Sequence, residues 1–350
     1  MIISKKTMIK NIYAAVFLLL LFLAVGCKDK TASNAADNSS SANKKKKIIR
    51  FSYSHQANFS SEIHTAAWIF KNYVNDNSDT LEVKLYASNA LGMEREIYEG
   101  IQLGGGADCV ISGTAIVSNF CQKLGIVDLP FLWKDYDHVH RVLDGKVGKI
   151  LAEELSQQGF KVLAWMDSWG YRNIVVKDKE ITGPDDIKNL KIRTIQAPNY
   201  IQALKAMGTN VTPMAFGEVY SSMQTGVLDG FEHNASVIYA DKFYEVADNI
   251  ILTRHLFGPL VFVYSNSKWD KLTEAERGVI QEAATFARDC QRALAPLREA
   301  QAFEMLKAKG MKITEIDTTG FIKNAVQLQD DFTGKNKAED LLDIIREAAD

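Results

Sequence analysis

Proline and cysteine are scarce in this chain of 350 residues, which contains six prolines and four cysteines. A collagen-like repeat and a disulfide-rich framework are therefore excluded. Hydrophobic residues make up 47% of the chain and charged residues 24%, which excludes an intrinsically disordered protein. The composition is that of a globular protein with enough apolar residues for two domains.

A surplus of positive charge is also absent. The formal net charge is -2, and residues 48–350 carry 32 basic and 41 acidic side chains. A surface that binds nucleic acid needs concentrated positive charge. The charge balance therefore argues against nucleic acid as a partner.

The sequence lacks the motifs of common catalytic sites. Neither G-x-S-x-G nor H-E-x-x-H occurs, and the glycine run 104–106 precedes a β-like segment, whereas a phosphate-binding loop follows a strand. His138 and His140 are two residues apart, so on a helix they point to different faces and cannot share a metal. The sequence indicates neither an enzyme nor a site for a cofactor or metal, and an exported enzyme is retained only as an alternative.

The first 26 residues have the pattern of an export signal. Three lysines precede an apolar run of twelve residues, 14–25, which is too short to cross a bilayer. The run is followed by Gly26-Cys27, and a small residue before a cysteine is typical of a bacterial lipoprotein signal. We expect residues 1–26 to be removed, Cys27 to be lipidated, and the protein to lie in the periplasm or cell envelope on a lipid anchor. An ordinary cleaved signal and an uncleaved anchor are the alternatives.

A polar segment follows the cysteine. Residues 28–47 contain no apolar side chain larger than alanine, so burial cannot offset the entropy lost on ordering them. We interpret residues 27–47 as the lipidated cysteine and a flexible tether, which would hold the folded body ~25 Å from the lipid.

From residue 48 onward, short β-like runs alternate with segments of helical periodicity, which predicts an α/β fold. Within 81–86, apolar and charged residues alternate with the period of a half-covered strand. The predicted strands are 48–53, 81–86, 107–112, 161–166, 173–177 and 260–264, and the predicted helices are 60–76, 92–104, 136–158, 199–207, 216–226 and 273–308.

The last of these helices is unusually long. Thr273 and Glu276 form the sequence pattern of a capping box at its start, and Gly310 lies just past its end. Pro296 falls inside it and predicts a kink. A helix of this length can belong to two domains at once, and we expect it to span both.

Arg193 ends the segment Lys191-Ile192-Arg193, which predicts a short strand. The side chain of Ile192 then points into the core, and that of Arg193 points the other way. A guanidinium matches the two oxygens of a carboxylate and keeps its charge. The sequence therefore predicts either a site for a ligand carboxylate at Arg193 or an ion pair with Asp185 or Asp186.

Several motifs stand in a characteristic order along the chain. They are YASNALG (86–92), GAD (106–108), LPFL (129–132), GYR (170–172), TGPDDIKNLKIR (182–193), TPMAFGEVY (212–220), MQTGVLDG (223–230) and KFYEV (242–246). Together they resemble the DctP-type substrate-binding proteins of TRAP transporters, over nearly all of the chain from residue 48.

The resemblance implies an α/β, two-domain fold like that of periplasmic binding proteins, with the long kinked helix spanning both domains. We assign residues 48–169 plus 259–298 to domain I, and residues 170–258 plus 299–350 to domain II. It also implies a receptor, not an enzyme, that closes on an organic acid. The receptor would deliver this acid to a sodium-coupled permease with a small and a large membrane subunit.

In the family, the arginine of the Lys-Ile-Arg segment forms a salt bridge with the ligand carboxylate, which implies this role for Arg193. Arg172 would add a second contact, and Phe216 lies where relatives pack an aromatic ring near the ligand. Relatives often have an asparagine that touches ligand where this chain has His233, which is followed by Asn234. The resemblance therefore implies a ligand contact at this point, with a different polar group.

Further contacts are predicted from strand ends and loops of the first domain, namely His55, Gln56, Ser112 and Thr114. Trp169 and Tyr171 flank Arg172 and would either stack on a ring of the ligand or pack between the domains.

The favoured ligand is a sugar acid such as a uronate or an aldonate, because receptors of this kind are common in the family and the predicted lining is polar. A C4-dicarboxylate and an aromatic or keto acid are the alternative ligands. A ligand-sensing lipoprotein that feeds a sensor kinase is the alternative function. We expect the protein to act as a monomer.

Overall fold

The computed structural model describes residues 45–349, so the predicted signal, the lipidation site at Cys27 and most of the tether lie outside the described residues. The strands are β1 (Lys47–Ser52), β2 (Leu81–Tyr86), β3 (Cys109–Gly113), β4 (Phe160–Met166), β5 (Arg172–Val176), β6 (Lys191–Thr194), β7 (Asn210–Pro213), β8 (Gly230–His233), β9 (Asn249–Leu256), β10 (Leu260–Ser265) and β11 (Lys312–Thr314). The helices are α1 (Glu62–Asn77), α2 (Glu94–Gln102), α3 (Thr114–Val117), α4 (Tyr136–Leu143), α5 (Lys146–Gln157), α6 (Pro198–Ala206), α7 (Val219–Gln224), α8 (Ala235–Ala240), α9 (Asn266–Trp269), α10 (Glu274–Ala308), α11 (Thr319–Asn336) and α12 (Glu339–Glu347).

The first sheet has five strands in the order β2-β1-β3-β10-β4. Strand β1 runs parallel to β2 and β3, whereas β10 is antiparallel to both β3 and β4. The predicted alternation in β2 is confirmed at Leu81 and Val83, which are buried, while Lys84 is exposed. This sheet, with its helices, confirms the α/β fold predicted for the chain from residue 48 onward.

The second sheet has six strands in the order β11-β9-β5-β8-β6-β7. Strand β6 is parallel to β7 and β8, and β5 is antiparallel to β8 and β9. The chain passes from the first sheet to the second between β4 and β5, returns between β9 and β10, and passes to the second sheet again through α10 before β11. The first two crossings lie next to each other, because β4 pairs with β10 and β5 pairs with β9. Neighbouring crossings of this kind allow a cleft between the two sheets.

Helix α10 contributes to the cores of both sheets, as the sequence predicted. Ile280 and Ala287, in its first half, are buried with the residues of α1 and the first sheet. Ala302 and Leu306, in its last third, are buried against the second sheet and α8. Pro296 lies inside the helix. One continuous helix therefore connects the two halves of the molecule.

The predicted capping box at the start of α10 is confirmed. The Thr273 hydroxyl accepts a hydrogen bond from the Glu276 N–H at 3.2 Å, and the Glu276 carboxylate accepts from the Thr273 N–H at 2.8 Å. The same carboxylate forms an ion pair of 2.7 Å with Lys47 at the start of β1. The cap therefore also fixes the helix to the edge of the first sheet.

Two helix predictions were wrong in their extent. The predicted helix 136–158 is two helices, because the chain breaks at Asp144 and Gly145, and a side chain at Gly148 would collide with the Leu143 carbonyl. The predicted helix 216–226 begins as a 3-10 turn and becomes α-helical only in α7. Periodicity alone did not reveal either break, since the apolar positions continue across both.

Within residues 45–349, no helix combines the length and the apolar character needed to cross a membrane.

Candidate ligand-binding site

A cavity lies where the carboxyl ends of several strands of both sheets meet. Its wall on the side of the first sheet includes Ser54, His55, Glu62, Asn89, Glu94 and Gly113, and its wall on the side of the second sheet includes Arg172, Arg193, Met214, Phe216 and His233. The carboxyl ends of strands are the usual place for ligands in α/β proteins because loops and helix N-termini converge there. The topology thus brings together residues that are up to 206 positions apart, from Ser54 to Leu260.

Arg193 has a donor without a partner. On β6 its neighbour Ile192 is in the core, as predicted, and Arg193 itself is 2% exposed. Its Nε and Nη2 donate to the Met214 carbonyl at 3.1 and 2.7 Å, whereas Nη1 is buried without a hydrogen-bond partner. Burial lowers the pKa of Arg193 to about 10, so the side chain stays charged at neutral pH. A buried cation with a free donor is suited to bind an anion.

The alternative partners considered for Arg193 are engaged elsewhere. Asp185 forms an ion pair with Lys188 at 2.6 Å, and the Asp186 carboxylate accepts hydrogen bonds from Thr182 and Gly183. The prediction of an ion pair between Arg193 and either of these acids is therefore wrong.

Arg172 also lines the cavity, but its guanidinium is already paired. Its Nε and Nη2 donate to the two carboxylate oxygens of Glu232, and Nη2 also donates to the Glu232 carbonyl at 3.0 Å. The guanidinium lies 5.2 Å from the ring centre of Tyr200, and Glu232 accepts a further bond from the Thr194 hydroxyl at 2.8 Å. Both charged groups are nearly fully buried. Arg172 therefore takes part in an internal ion pair that joins β5, β6 and β8.

Three rings form one side of the cavity. His55 stacks on Phe216 with ring centres 5.1 Å apart, and His233 meets Phe216 edge-on at 5.5 Å. Burial lowers the pKa of His55 to about 4 and that of His233 well below its usual range, with the charge of Arg172 adding to both effects. Both imidazoles are therefore neutral at pH 7 and can donate one hydrogen bond and accept another.

Sequence reasoning missed two carboxylates in the cavity wall. Glu62 is 1% exposed and its Oε2 has no hydrogen-bond partner, and Glu94 is half-buried. Burial raises the pKa of both groups, to about 7 for Glu62. Each stands in the first turn of a predicted helix that follows a strand of the first sheet. That position was the available signal, because first turns at the carboxyl ends of strands face the cleft.

Other residues predicted as contacts do not line the cavity, although one of them, Asn234, bonds the lining residue Ser168. Two hydroxyl groups of the first domain are bonded internally: that of Ser112 to Tyr98 at 2.7 Å, and that of Thr114 to Asp128 at 2.8 Å. The Trp169 N–H donates to the Gln291 carbonyl at 3.1 Å, and the Tyr171 hydroxyl donates to the Trp133 carbonyl at 3.2 Å. The Asn234 side chain caps α8 and donates to Ser168 at 2.6 Å. Gln56 is exposed. The structure thus brings Arg193, Arg172, Phe216, His233 and His55 together and leaves these six outside the wall.

Acidic, histidine and cysteine side chains do not cluster in threes anywhere in residues 45–349 in a way that could hold a metal ion. In the described part of the chain, the cavity therefore offers hydrogen bonds, rings and one unpaired cation as its means of binding.

The family described as "Bacterial extracellular solute-binding protein, family 7", the DctP family, matches residues 53–335. The chain belongs to this family. The resemblance seen in its motifs is thereby confirmed, and so is the α/β fold with a helix that spans both halves.

Particular relatives and structures are similar over most of the chain. The 2,3-diketo-L-gulonate-binding periplasmic protein YiaO of Escherichia coli is 32% identical over 275 residues, 78% of this chain and 83% of that protein. The sugar-acid-binding protein DctPAm of Advenella mimigardefordensis, in complex with galactonate, has a TM-score of 0.81 and 30% identity over 87% of this chain and 99% of its own. A TRAP periplasmic solute-binding protein of Chromohalobacter salexigens with bound D-glucuronate has a TM-score of 0.81 and 30% identity, and the match covers 86% and 99% of the two chains.

Proposed function

We propose that this protein is the extracytoplasmic receptor of a TRAP transporter and that it binds an organic acid through Arg193. The observation that carries the proposal is the free Nη1 of this buried guanidinium in the wall of a cavity between two sheets. A ligand carboxylate would supply the missing acceptor and balance the charge. Closing the cavity excludes water, which strengthens such an ion pair.

The ligand we favour is a sugar acid, a uronate or an aldonate. Support comes from the polar groups that face the cavity besides Arg193, namely the two neutral imidazoles and the two carboxylates, which can exchange hydrogen bonds with hydroxyl groups. The bound galactonate and glucuronate of the two similar structures point to the same class. Phe216 would pack on the carbon chain of the ligand.

The role of Arg172 in this proposal is indirect. Its pairing with Glu232 holds it in the wall, where its charge attracts an anion. We therefore expect Arg172 to position β5 and β8 and to assist electrostatically, while Arg193 holds the carboxylate.

The remaining parts of the proposal concern the place of the protein in the cell. Lipidation at Cys27 and attachment to the cell envelope rest on the export pattern of the sequence. Delivery of the ligand to a sodium-coupled permease with a small and a large subunit rests on membership of the family. The division into domain I and domain II at residues 169/170, 258/259 and 298/299 is likewise proposed. It is supported by the first sheet, whose strands come from residues before 167 and from 260–265.

A thermal-shift panel tests the proposal. The full chain, purified in mild detergent, is heated with D-glucuronate, D-galacturonate, D-galactonate, C4-dicarboxylates, keto acids or sodium chloride of equal ionic strength. A ligand at 100 times its Kd adds ~2.7 kcal/mol of stability, which raises the Tm of a protein of this size by about 4 °C. We expect at least one sugar acid to give this shift. A folded protein whose Tm no acid changes would contradict the proposed function.

A further inference from the structure

The charges of the cavity are divided between its two walls. Glu62, at the start of α1, and Glu94, at the start of α2, stand on the wall of the first sheet. Arg172 and Arg193, on β5 and β6, stand on the wall of the second sheet. Apart from Arg95, which pairs with Glu99, the wall of the first sheet is therefore acidic and the facing wall of the second sheet is basic.

We propose that Glu62, assisted by Glu94, makes this site selective for acids that carry a single carboxylate, by accepting hydrogen bonds from ligand hydroxyl groups and by repelling a second carboxylate. The inference rests on the proposed function, because it assumes that Arg193 holds the first carboxylate. It assigns to Glu62 a role in specificity that is separate from the anchoring role of Arg193.

Few cations in the cavity wall are available to a ligand carboxylate. Among the described residues that line the cavity, three are arginines: Arg95, Arg172 and Arg193. Arg95 is exposed and pairs with Glu99 at 2.9 Å, and Arg172 is paired with Glu232. This leaves Arg193 as the lining cation without an acidic partner within 4 Å, which suffices for one carboxylate.

Glu62 has a buried carboxylate oxygen without a donor. Its side chain is 1% exposed, and Oε2 has no hydrogen-bond partner within the described residues. A buried oxygen of this kind costs free energy unless a ligand donor satisfies it. A ligand hydroxyl can donate to it, whereas a ligand carboxylate cannot and adds a like charge in a site of low dielectric. Selection by an unfavourable contact of this type is a common means of specificity.

The neighbours of Glu62 reinforce this polarity. Asp241, on the loop after α8, is buried and raises the pKa of Glu62 further, while Arg172 acts in the opposite direction. His55, next to Asp241 at 4.0 Å, is neutral at pH 7 and so cannot supply the missing positive charge. The wall of the first sheet therefore offers acceptors, and its one lining cation among the described residues, Arg95, is already paired with Glu99.

The experiment compares acids that differ by one carboxylate. At pH 8, above the pKa of about 7 given to Glu62 by burial, isothermal titration of the full chain measures the Kd of the tightest-binding monocarboxylate of the panel and of the aldarate with the same carbon skeleton. The aldarate is galactarate for galactonate or galacturonate, and glucarate for glucuronate. We expect the wild type to bind the monocarboxylate at least 100-fold more tightly, and Glu62→Gln to reduce this ratio at least 10-fold.

The control is Glu153→Gln, which removes the charge of an exposed acid on α5 outside the cavity wall and should leave the ratio unchanged. If Glu62→Gln does not fold, the ratio of the two Kd values is measured for Glu94→Gln instead. The ratio for the wild type tests the inference by itself, because it needs no variant. The inference is overturned if the wild type binds the aldarate as tightly as the monocarboxylate, or if Glu62→Gln has the same ratio of Kd values as the wild type. Either outcome leaves the proposed binding of an organic acid intact. Absence of binding by every acid overturns the proposed function as well.

Discussion

Arg193→Gln is expected to reduce the affinity for D-glucuronate or D-galactonate at least 100-fold without destabilising the ligand-free protein. Removing one partner of a buried, hydrogen-bonded charge pair costs 2–5 kcal/mol of binding free energy as a rough range, and a factor of 100 corresponds to about 2.7 kcal/mol. The substitution removes the hydrogen bonds of Nε and Nη2 to the Met214 carbonyl, but it also relieves the unliganded fold of a buried cation with an unpaired donor, which offsets this loss. We expect the free energy of unfolding to stay within about 1 kcal/mol of the wild type or to rise.

Titration calorimetry measures the affinity, and urea denaturation of the ligand-free protein measures the stability. Arg193→Lys tests the geometry, since an ammonium keeps the charge and loses the paired donors; its affinity should fall between those of the wild type and Arg193→Gln. Arg288→Gln serves as the matched control because Arg288 pairs with Asp289 and does not line the cavity. An affinity of Arg193→Gln within threefold of the wild type would show that Arg193 does not hold the ligand.

Glu232→Leu, unlike Arg193→Gln, is expected to destabilise the ligand-free protein. The residue is fully buried and accepts hydrogen bonds from Arg172 and Thr194. Its removal leaves the Arg172 guanidinium buried without a counter-charge, which costs about 3–5 kcal/mol. For a protein of this size that corresponds to a decrease in Tm of about 4–8 °C.

A double-mutant cycle separates this loss from ordinary changes in packing. Arg172→Met alone should also destabilise the protein, because it leaves the Glu232 carboxylate unpaired. The double variant Arg172→Met/Glu232→Leu, with both charges replaced by apolar groups, should lose much less stability than the sum of the two single changes. Additive losses would mean that the two residues are not coupled, contrary to the hydrogen bonds in the structure.

The contrast between the two arginines shows what the sequence could and could not predict. The strand Lys191-Ile192-Arg193 and the outward direction of Arg193 follow from alternation along a β-strand. The ion pair of Arg172 with Glu232 cannot be predicted in this way. Glu232 lies 60 residues further along the chain, in the four-residue strand β8, which periodicity did not reveal. A buried carboxylate beside a turn-like Asp-Gly pair reads locally as a surface residue.

The acidic wall was missed for a similar reason. The chain contains 43 acidic residues, and local pattern does not distinguish Glu62 and Glu94 from those on the surface. Their position depends on how α1 and α2 pack beside the carboxyl ends of β1 and β3, which is a property of the sheet order. Proximity in sequence was also a poor guide to the cavity wall. Trp169 is close in sequence to Arg172, yet its indole donates to the carbonyl of Gln291 in α10.

The most direct test of the central claim, that Arg193 binds the carboxylate of the ligand, compares D-galactonate with galactitol by titration calorimetry on the full chain. Galactitol carries the same hydroxyl groups but has an alcohol in place of the carboxylate. If galactonate is a ligand, the account predicts that galactitol binds at least 100-fold more weakly, since its alcohol cannot balance the buried charge. If the two bind with equal affinity, recognition depends on the hydroxyl groups alone and the proposed role of Arg193 is wrong.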